Sequence, residues 1–552
     1  MSDLAVEIIA LRDSERNAQA NFRSLWQETA DLIFPRQNQI TSLSEPGEDK
    51  AIKVYDTTAI QDSQDMVSGM SGALIPAGQK FFGLKVRNPE ISEDDDVQRF
   101  LLEATEITHA EMFESNFMLQ FNETLRSMVV FGTGNLYSEW DGTNGGLNYK
   151  DYDIANYQIL EDAHGRVNTV ILTLTLTPLQ VMDMRVERNW GMDKISDDIK
   201  KALEKPDTST KKFEFIHIVR PRRKRSALRS DSMNMPFESI FVDVKAKMEM
   251  DQGGFTEFPF AVARWTKSSS EKYGRGQGTE NLPAVKVMQQ IHRDFLECGN
   301  KWNNPPREVL AGAFEGDVNV APGGLNWVNQ FPAIKGLDQT AMGNFPITKD
   351  VLEFQQEVIH KAFFRDIFIQ MADLRSTRMT TVEVAQRVQE GLRRLASPVS
   401  RIQSELLNPV VTRSVLLLVR NGRIPYPPPQ LQGQQFGIEY EGQLALALRD
   451  QQAKGFMQWA AMVTQIANVQ PDVLDYVDWA DAMPRLGISF GVHSGDMATP
   501  EQVAEKREER RKQQAAAELM QAAEVAGKAY GPATKTAEEG SLAGELMGAG
   551  RG

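Results

Sequence analysis

Apolar residues recur at helical spacing along several long stretches of this chain, and at alternate positions along one. Residues 3–34 place Leu4, Ile8 and Leu11, then Phe22, Leu25, Trp26 and Ile33, on one face. That predicts an amphipathic helix ending at Pro35. A second helix is expected over Asp56–Leu74, stopped by Pro76. Ser92 is expected to cap a third, whose first turn is Glu93-Asp94-Asp95-Asp96. Acidic residues there complement the helix dipole, so a solvated first turn explains the run better than a metal site does. From Gly134 to about Trp265 the period changes to two. Val170–Thr177, Phe213–Val219, Phe237–Val244 and Phe258–Trp265 read as strands, and Phe213–Val219 sets Phe, Phe, His and Val against Glu, Ile and Ile. The N-terminal half is therefore expected to be α+β.

Beyond Gly278 the helical period returns. Leu282–Trp302 carries the stripe Val285, Met288, Ile291, Phe295, Cys298 and Trp302. At 1.5 Å per residue this helix is about 30 Å long. It stops at Asn303-Asn304-Pro305-Pro306, and some 45 residues rich in Gly, Pro and Asn follow, up to Ile347. A compact strand-and-turn module is expected there. A return helix is expected over Lys349–Met371, with Val358 on its stripe. It turns apolar nearly all round at Ala362-Phe363-Phe364 and Ile367-Phe368-Ile369. A helix apolar on every side is buried on every side, and a thin two-helix stalk cannot do that alone. Neighbouring copies of the chain are the expected cover. Next comes a short polar loop, Arg375-Ser376-Thr377-Arg378-Met379, and then a helix opened by the capping box Thr380-Thr381-Val382-Glu383. Its stripe runs through Ala385, Val388, Leu392, Leu395, Val399, Ile402 and Leu406, with kinks expected at Pro398 and Pro409. Asn421-Gly422 ends it, Pro425–Pro429 is a stiff linker, and Phe436–Glu441 reads as a strand. Leu444–Pro484 is read as helical, 500–529 as a charged alanine-rich helix, and the last twenty or so residues as disordered.

Composition narrows the function classes. The chain has 552 residues, room for three or four domains. Its net charge is −14, which argues against tight non-specific DNA binding over the whole surface. The basic run Arg220–Arg225 is a local exception, read as a solvated turn between strands. Cys298 is the only cysteine, so an internal disulfide and a cysteine-based zinc site are excluded and a reducing compartment is expected. The N-terminus lacks a basic segment followed by an apolar one, so no secretory signal is expected. The longest apolar runs, such as Val415–Val419, fall far short of a membrane span. Tyr273-Gly274-Arg275-Gly276-Gln277-Gly278 invites a phosphate-binding reading, but no Gly-Lys-Ser/Thr follows and no G-x-G-x-x-G is present. These glycines are expected to turn the chain sharply between domains. No H-E-x-x-H, G-x-S-x-G or C-x-x-C occurs, and the six histidines have no ligand spacing. No catalytic residue, metal site or cofactor is therefore assigned. His292 and His360 are expected to be hydrogen-bonded helix histidines.

Several short segments, taken in order, resemble the portal or head-to-tail connector proteins of short-tailed, podovirus-type bacteriophages. They are Val54-Tyr55-Asp56-Thr57-Thr58 with Ser68-Gly69-Met70-Ser71-Gly72, then Val130–Tyr137, then Arg264-Trp265 leading to Tyr273-Gly274-Arg275-Gly276. The longest is Arg378–Val384 through Glu405–Pro409 to Gly422-Arg423-Ile424-Pro425. The resemblance covers roughly Glu7 to Pro500. It implies a mainly helical α+β portal fold and a ring, typically of twelve subunits, at one capsid vertex. Double-stranded DNA would be packaged through that ring by a separate terminase motor and later ejected by the short-tail route. It implies 1–280 as wing, 281–302 and 349–371 as stem helices, and 303–348 as the clip. Residues 372–379 would be the channel loop and 380–430 the kinked wing helix with its linker. The crown would follow at 431–499, a C-terminal helix or barrel at 500–529, and a tail at 530–552. Implied partners are the terminase large subunit, a tail adaptor, the major capsid and scaffolding proteins and internal core proteins, with no membrane. Assembly is expected in the bacterial host cytoplasm, with a role in nucleating the capsid. Arg375, Ser376, Thr377, Arg378 and Met379 would contact DNA transiently, or the arginines would pair with carboxylates of neighbouring subunits. Val285, Met288, Ile291, Phe295, Trp302, Val358, Phe363, Phe364 and Ile367 would form the subunit interface of the stem. The rival readings are another structural virion protein (an adaptor or scaffold-associated factor) and an unrecognised hydrolase.

Overall fold

A computed structural model describes residues 2–42, then 54–303 apart from 77, 87, 89–90, 92–93, 189, 205–210 and 227–230, then 307–309, 327–329, 334–336, 349–367, 394–431 and 436–440, with helical positions at 461–463, 506, 508–512 and 515–516. The chain forms two compact units, Met1–Leu448 and Arg449–Gly552. The first mixes helices and strands, as expected. The polar loop Arg375–Met379, the capping box at Thr380 and the expected tail at 530–552 lie outside the described residues, as do most of 444–484 and of 500–529.

The first unit is built in layers around a five-stranded antiparallel sheet and a three-stranded one. The larger sheet has the order β4 (Tyr157–Glu161), β5 (Val167–Leu176), β6 (Phe213–Pro221), β7 (Phe237–Asp243), β8 (Met248–Phe255). The alternation read in β6 is realised. Phe213 and Phe215, with Phe241 of β7, face the helices Pro178–Glu187 and Asp197–Glu204, where Val181, Ile199 and Ala202 cover them. Ile216 and Ile218, with Ile240 and Val242, pack against Ala5 and Ile8 of the first helix. Both faces are therefore buried, which a one-sided amphipathic pattern does not predict. Thr177 ends β5 and opens the next helix through a full capping box with Gln180.

The smaller sheet, in the order β3 (Gly146–Asp151), β2 (Thr133–Asp141), β9 (Phe260–Arg264), lies on the helix Phe117–Phe131. That helix buries Phe117, Phe121, Leu125, Met128, Val129, Val130 and Phe131. Each buried phenylalanine contributes about 2–3 kcal/mol by removal of apolar area from water. The helix Asn408–Arg420 closes the same core through Val410, Val411, Val415 and Leu418. It is fixed by polar contacts as well. Tyr149 Oη lies 2.6 Å from Ser414 Oγ, and Arg413 Nε donates to the Ser138 carbonyl at 2.8 Å.

Several expected boundaries are corrected. The first helix is two, Asp3–Ala18 and Ala20–Ile33, divided at Gln19. The helix Asp95–Glu114 is capped by Asp94, whose carboxylate accepts from the Asp96 and Val97 amides, and not by Ser92. The first turn thus uses one of its own acidic residues as the cap. The basic run does lie between β6 and β7 with Arg223, Lys224 and Arg225 exposed, as expected, and its base is braced. Arg222 donates to the carbonyls of Met235 and Gly253, and Arg220 donates to Glu238. Pro409 does interrupt its helix. Proline has no N–H to give the Glu405 carbonyl one turn back, and a π-helical segment, Ile402–Leu407, absorbs the mismatch just before Asn408–Arg420. The expected strand at 436 is present as β12 (Phe436–Tyr440). It pairs antiparallel with β1 (Phe82–Val86), so it belongs to the first unit. In the expected module at 303–348, β10 (Arg307–Val309) pairs antiparallel with β11 (Ile334–Gly336).

Candidate functional site

Two features of the first unit stand out as functional candidates. One is the helix pair Leu282–Asn303 and Lys349–Ala362, with the joint at the end of the second helix. The other is the contact between the two glycine-bearing segments.

The helix pair begins inside the core and leaves it. Leu282, Val285 and Met288 are buried. Ile291 is half-buried, and Phe295 and Leu296 are 48% and 52% exposed. On the return helix Val351 and Phe354 are 44% and 66% exposed, Val358 is half-buried, and Ile359 is fully buried. The side chain of Trp302 lies outside the described residues. Deep packing at one end thus grades into unpartnered apolar side chains at the other.

The end of the return helix is not the uncovered cylinder its composition suggests. Phe363 and Ile367 are buried within the single chain, and Phe364 is half-buried. The cover includes the Thr58–Leu74 helix, which the return helix contacts. Neighbouring copies are therefore not needed to cover Phe363 and Ile367, while Phe368 and Ile369 lie outside the described residues. A linear pattern does not reveal that a helix so distant in sequence supplies the cover.

Nor does the helix run unbroken to Met371. It ends at Ala362, and Phe364 takes a left-handed backbone (φ 55°) before helical residues resume at 365–367. Here a polar cluster reaches into the core. Asp62, on the Thr58–Leu74 helix, has no exposed side-chain surface. His360 Nδ1 lies 2.5 Å from Asp62 Oδ2, and Arg365 Nη1 lies 3.5 Å from Oδ1 and 3.0 Å from His360 Nε2. Burial pushes the Asp62 carboxyl up from its ordinary range, and the hydrogen bond and charge of His360 and the charge of Arg365 only partly oppose this. On the other helix of the pair a neutral device does similar work. Gln289 accepts from the amides of Tyr55 and Asp56 at 2.7 and 2.9 Å and donates to the Asp56 carbonyl at 2.7 Å. His292 Nδ1 lies 3.7 Å from Asp56. Both stalk histidines thus face aspartates. In the sequence, Val54–Thr58 is marked by its resemblance and Asp56–Leu74 as a helix, and neither signal points to Asp62.

The second feature explains the glycine-rich loop. Its glycines serve close backbone approach more than a turn between domains. A Cβ on Gly276 would sit 2.4 Å from the Val129 carbonyl oxygen, and one on Gly132 would sit 2.4 Å from the Gly274 carbonyl oxygen. The Gly274 amide donates to Thr133 Oγ1 at 3.0 Å, and the Trp265 amide donates to the Gly132 carbonyl at 2.9 Å. A pocket of about 400 Å³ beside the loop is lined by Thr266, Lys267, Ser268, Ser270, Glu271, Arg275 and Glu280. Its cations are already engaged, Lys267 with Glu161 at 2.5 Å and Arg275 with Glu271 at 2.6 Å. A phosphate would have to displace carboxylates from both.

Next to this loop Arg264 is almost fully buried. Its backbone amide and Nε donate to Glu405 Oε2 at 3.0 and 3.1 Å, and Nη2 donates to Glu405 Oε1 at 2.8 Å. Nη1 donates to Glu161 and Nη2 also reaches the Gly165 carbonyl at 3.1 Å. Burial works to lower its basicity, but the hydrogen bonds and charges of Glu405 and Glu161 outweigh it and the guanidinium is held above its usual range. One arginine thus ties β9 and the end of β4 to the π-helical segment.

Among the described residues no group of three or more His, Cys, Asp and Glu is placed to hold a metal ion. Among them, too, no helix is long and apolar enough to cross a membrane.

Similarity to known proteins extends over nearly the whole chain. Residues 6–497 match the family model described as bacteriophage head to tail connecting protein. A protein of Salmonella phage epsilon15 named "Portal protein" is 26% identical over 532 residues, which span 95% of this chain and 93% of that relative. A protein of Bordetella phage BPP-1 named "Probable portal protein" is 24% identical over 528 residues, spanning 93% of each.

Proposed function

Since the chain belongs to the bacteriophage head-to-tail connecting proteins and functions as a portal protein, we propose that copies of it form a ring, typically of twelve subunits, whose central channel carries double-stranded DNA into the capsid under a separate terminase motor and out again at ejection. The observation that carries the ring is the burial gradient along the helix pair. Val287, Phe295, Leu296, Val351 and Phe354 are large, apolar and exposed on two adjacent helices. Exposed apolar side chains on two adjacent helices favour a protein–protein contact there. In this reading Leu282–Asn303 and Lys349–Ala362 are the stem, and 303–348 is the clip that meets the terminase and then the tail adaptor. Residues 1–280 and 380–430 form the wing. The crown starts near Arg449, because β12 belongs to the first unit. The outer stem residues Ile291, Phe295 and Val358 are favoured as interface. Val285, Met288, Phe363 and Ile367 are already buried within one chain and anchor the stem to the wing.

Purified protein imaged in negative stain is expected to show rings with a central hole. A small compact particle would overturn the reading. Phe295→Asp with Phe354→Asp should abolish rings yet leave the monomer folded by circular dichroism, because both side chains are exposed in the single chain. Rings that persist in that variant would remove these helices from the interface.

The proposal extends to the channel. Arg375 and Arg378 touch DNA phosphates locally, in a channel whose acidic balance otherwise discourages tight binding. Replacing both by alanine should reduce DNA retention in filled particles without stopping ring assembly. Loss of rings would make these arginines structural contacts between subunits.

A further inference from the structure

The sequence of the return helix is written for a straight helix, and the structure breaks it. Ile359, Phe363 and Ile367 are spaced four apart, so one continuous helix would carry all three on one face. Instead the left-handed Phe364 interrupts it, a conformation that a bulky L-residue rarely adopts. Around the break the Phe363 amide donates to Ile359, Phe364 to Lys361 and Ile367 to Phe364. Helical residues resume at 365–367, so the amides of Arg365 and Asp366 stand in a first turn, which supplies them no acceptor of its own. A continuous helix would supply Lys361 and Ala362 as their acceptors.

What offsets the break is the buried carboxylate of Asp62. At 100° per residue, positions five apart on a continuous helix point about 140° away from each other. His360 and Arg365 could not then both face one carboxylate. In the broken form they do, at 2.5 and 3.5 Å. The clasp is also incompletely closed. Asp62 Oδ1 and Arg365 Nε are both buried without a hydrogen-bond partner among the described residues.

We propose that Phe363–Arg365 is a two-position joint, broken or continuous with the Lys349–Ala362 helix, and that Asp62 holds it in the broken form by gathering His360 and Arg365. The joint couples the Thr58–Leu74 helix to the direction in which the chain leaves the return helix. This holds independently of the subunit number and of what passes through any channel.

Amide hydrogen exchange on the full-length protein, resolved to residues 363–367, tests it. Asp62→Asn keeps the shape and removes the charge. The amides of Arg365 and Asp366 should then exchange about tenfold more slowly, because the helix closes over them. Adding Phe364→Gly should return the rate to that of the parent protein, since glycine accepts the left-handed conformation at no steric cost. Peptides from β6 and β7 should not change. Faster exchange at Arg365 and Asp366 in Asp62→Asn would show that the carboxylate only stabilises the site as it stands. Unchanged exchange would show that it does not set the position of the joint. Either result overturns the proposal, as would slowing that survives Phe364→Gly.

Discussion

Replacing Arg264 by alanine is expected to cost the first unit about 3–5 kcal/mol, the loss typical of a buried ion pair stripped of one partner. The cost comes from what stays behind. Glu405 would lose its side-chain hydrogen bonds from Arg264 and keep Arg401 at 3.5 Å, on the rim. Glu161 would keep Lys267. The backbone amide of residue 264 would survive the substitution and still reach Glu405, so the lost guanidinium is the measured quantity. Arg264→Lys should recover only part of the stability, since an ammonium cannot reach two carboxylates and the Gly165 carbonyl with a planar fork. The decisive comparison is Arg264→Met against Arg264→Met with Glu405→Met. If desolvated charge is the cause, the double variant should be the more stable of the two in urea. If the double variant falls further, packing around the arginine stem is what matters, and the electrostatic account fails. The π-helical segment Ile402–Leu407 should respond most, because Glu405 lies within it.

How much of this is legible in the sequence depends on how local each signal is. The β6 alternation and the start of the stripe at Val285 and Met288 come through because period and burial agree within one element, whereas Phe295 on the same stripe is exposed in the single chain. The break at Phe364 is invisible, since its causes are a carboxylate at position 62 and the geometry of a joint, and the local pattern favours a straight helix. Long-range partners escape for the same reason. Arg264 and Glu405 stand in two of the segments that resemble portal proteins, but nothing in a linear reading pairs a strand end with a helix 141 residues away. The glycines are plain in the sequence, but their cause is not. A turn and a close backbone approach call for the same residue, and only the packing tells them apart.

That distinction can be measured. Gly132→Ala is expected to be among the most damaging single-methyl additions to the first unit, well beyond the cost of its backbone conformation. Gly132 closes the Phe117–Phe131 helix with φ 98°, and its amide donates to the Met128 carbonyl at 3.0 Å. A left-handed residue other than glycine costs about 1–2 kcal/mol. Gly145, at the tip of the hairpin joining β2 and β3, has φ 72° and nothing within 4 Å of the place an added methyl would take, so Gly145→Ala isolates that conformational cost. At Gly132 the added methyl would also meet the Gly274 oxygen at 2.4 Å and the Arg275 backbone at 2.5 Å. These are main-chain atoms held by the Gly274–Thr133 bond and the paired Thr266–Arg275 bonds, and they cannot rotate away. Overpacking adds about 1–3 kcal/mol to the conformational cost. The urea midpoint should therefore fall by clearly more for Gly132→Ala than for Gly145→Ala, and the Thr266–Arg275 bridge should lose protection first. Equal losses in the two variants would mean that the glycine-bearing segments merely turn and do not interlock. The contact would then say nothing about why Phe131-Gly132-Thr133-Gly134 and Tyr273-Gly274-Arg275-Gly276 occur together in this chain.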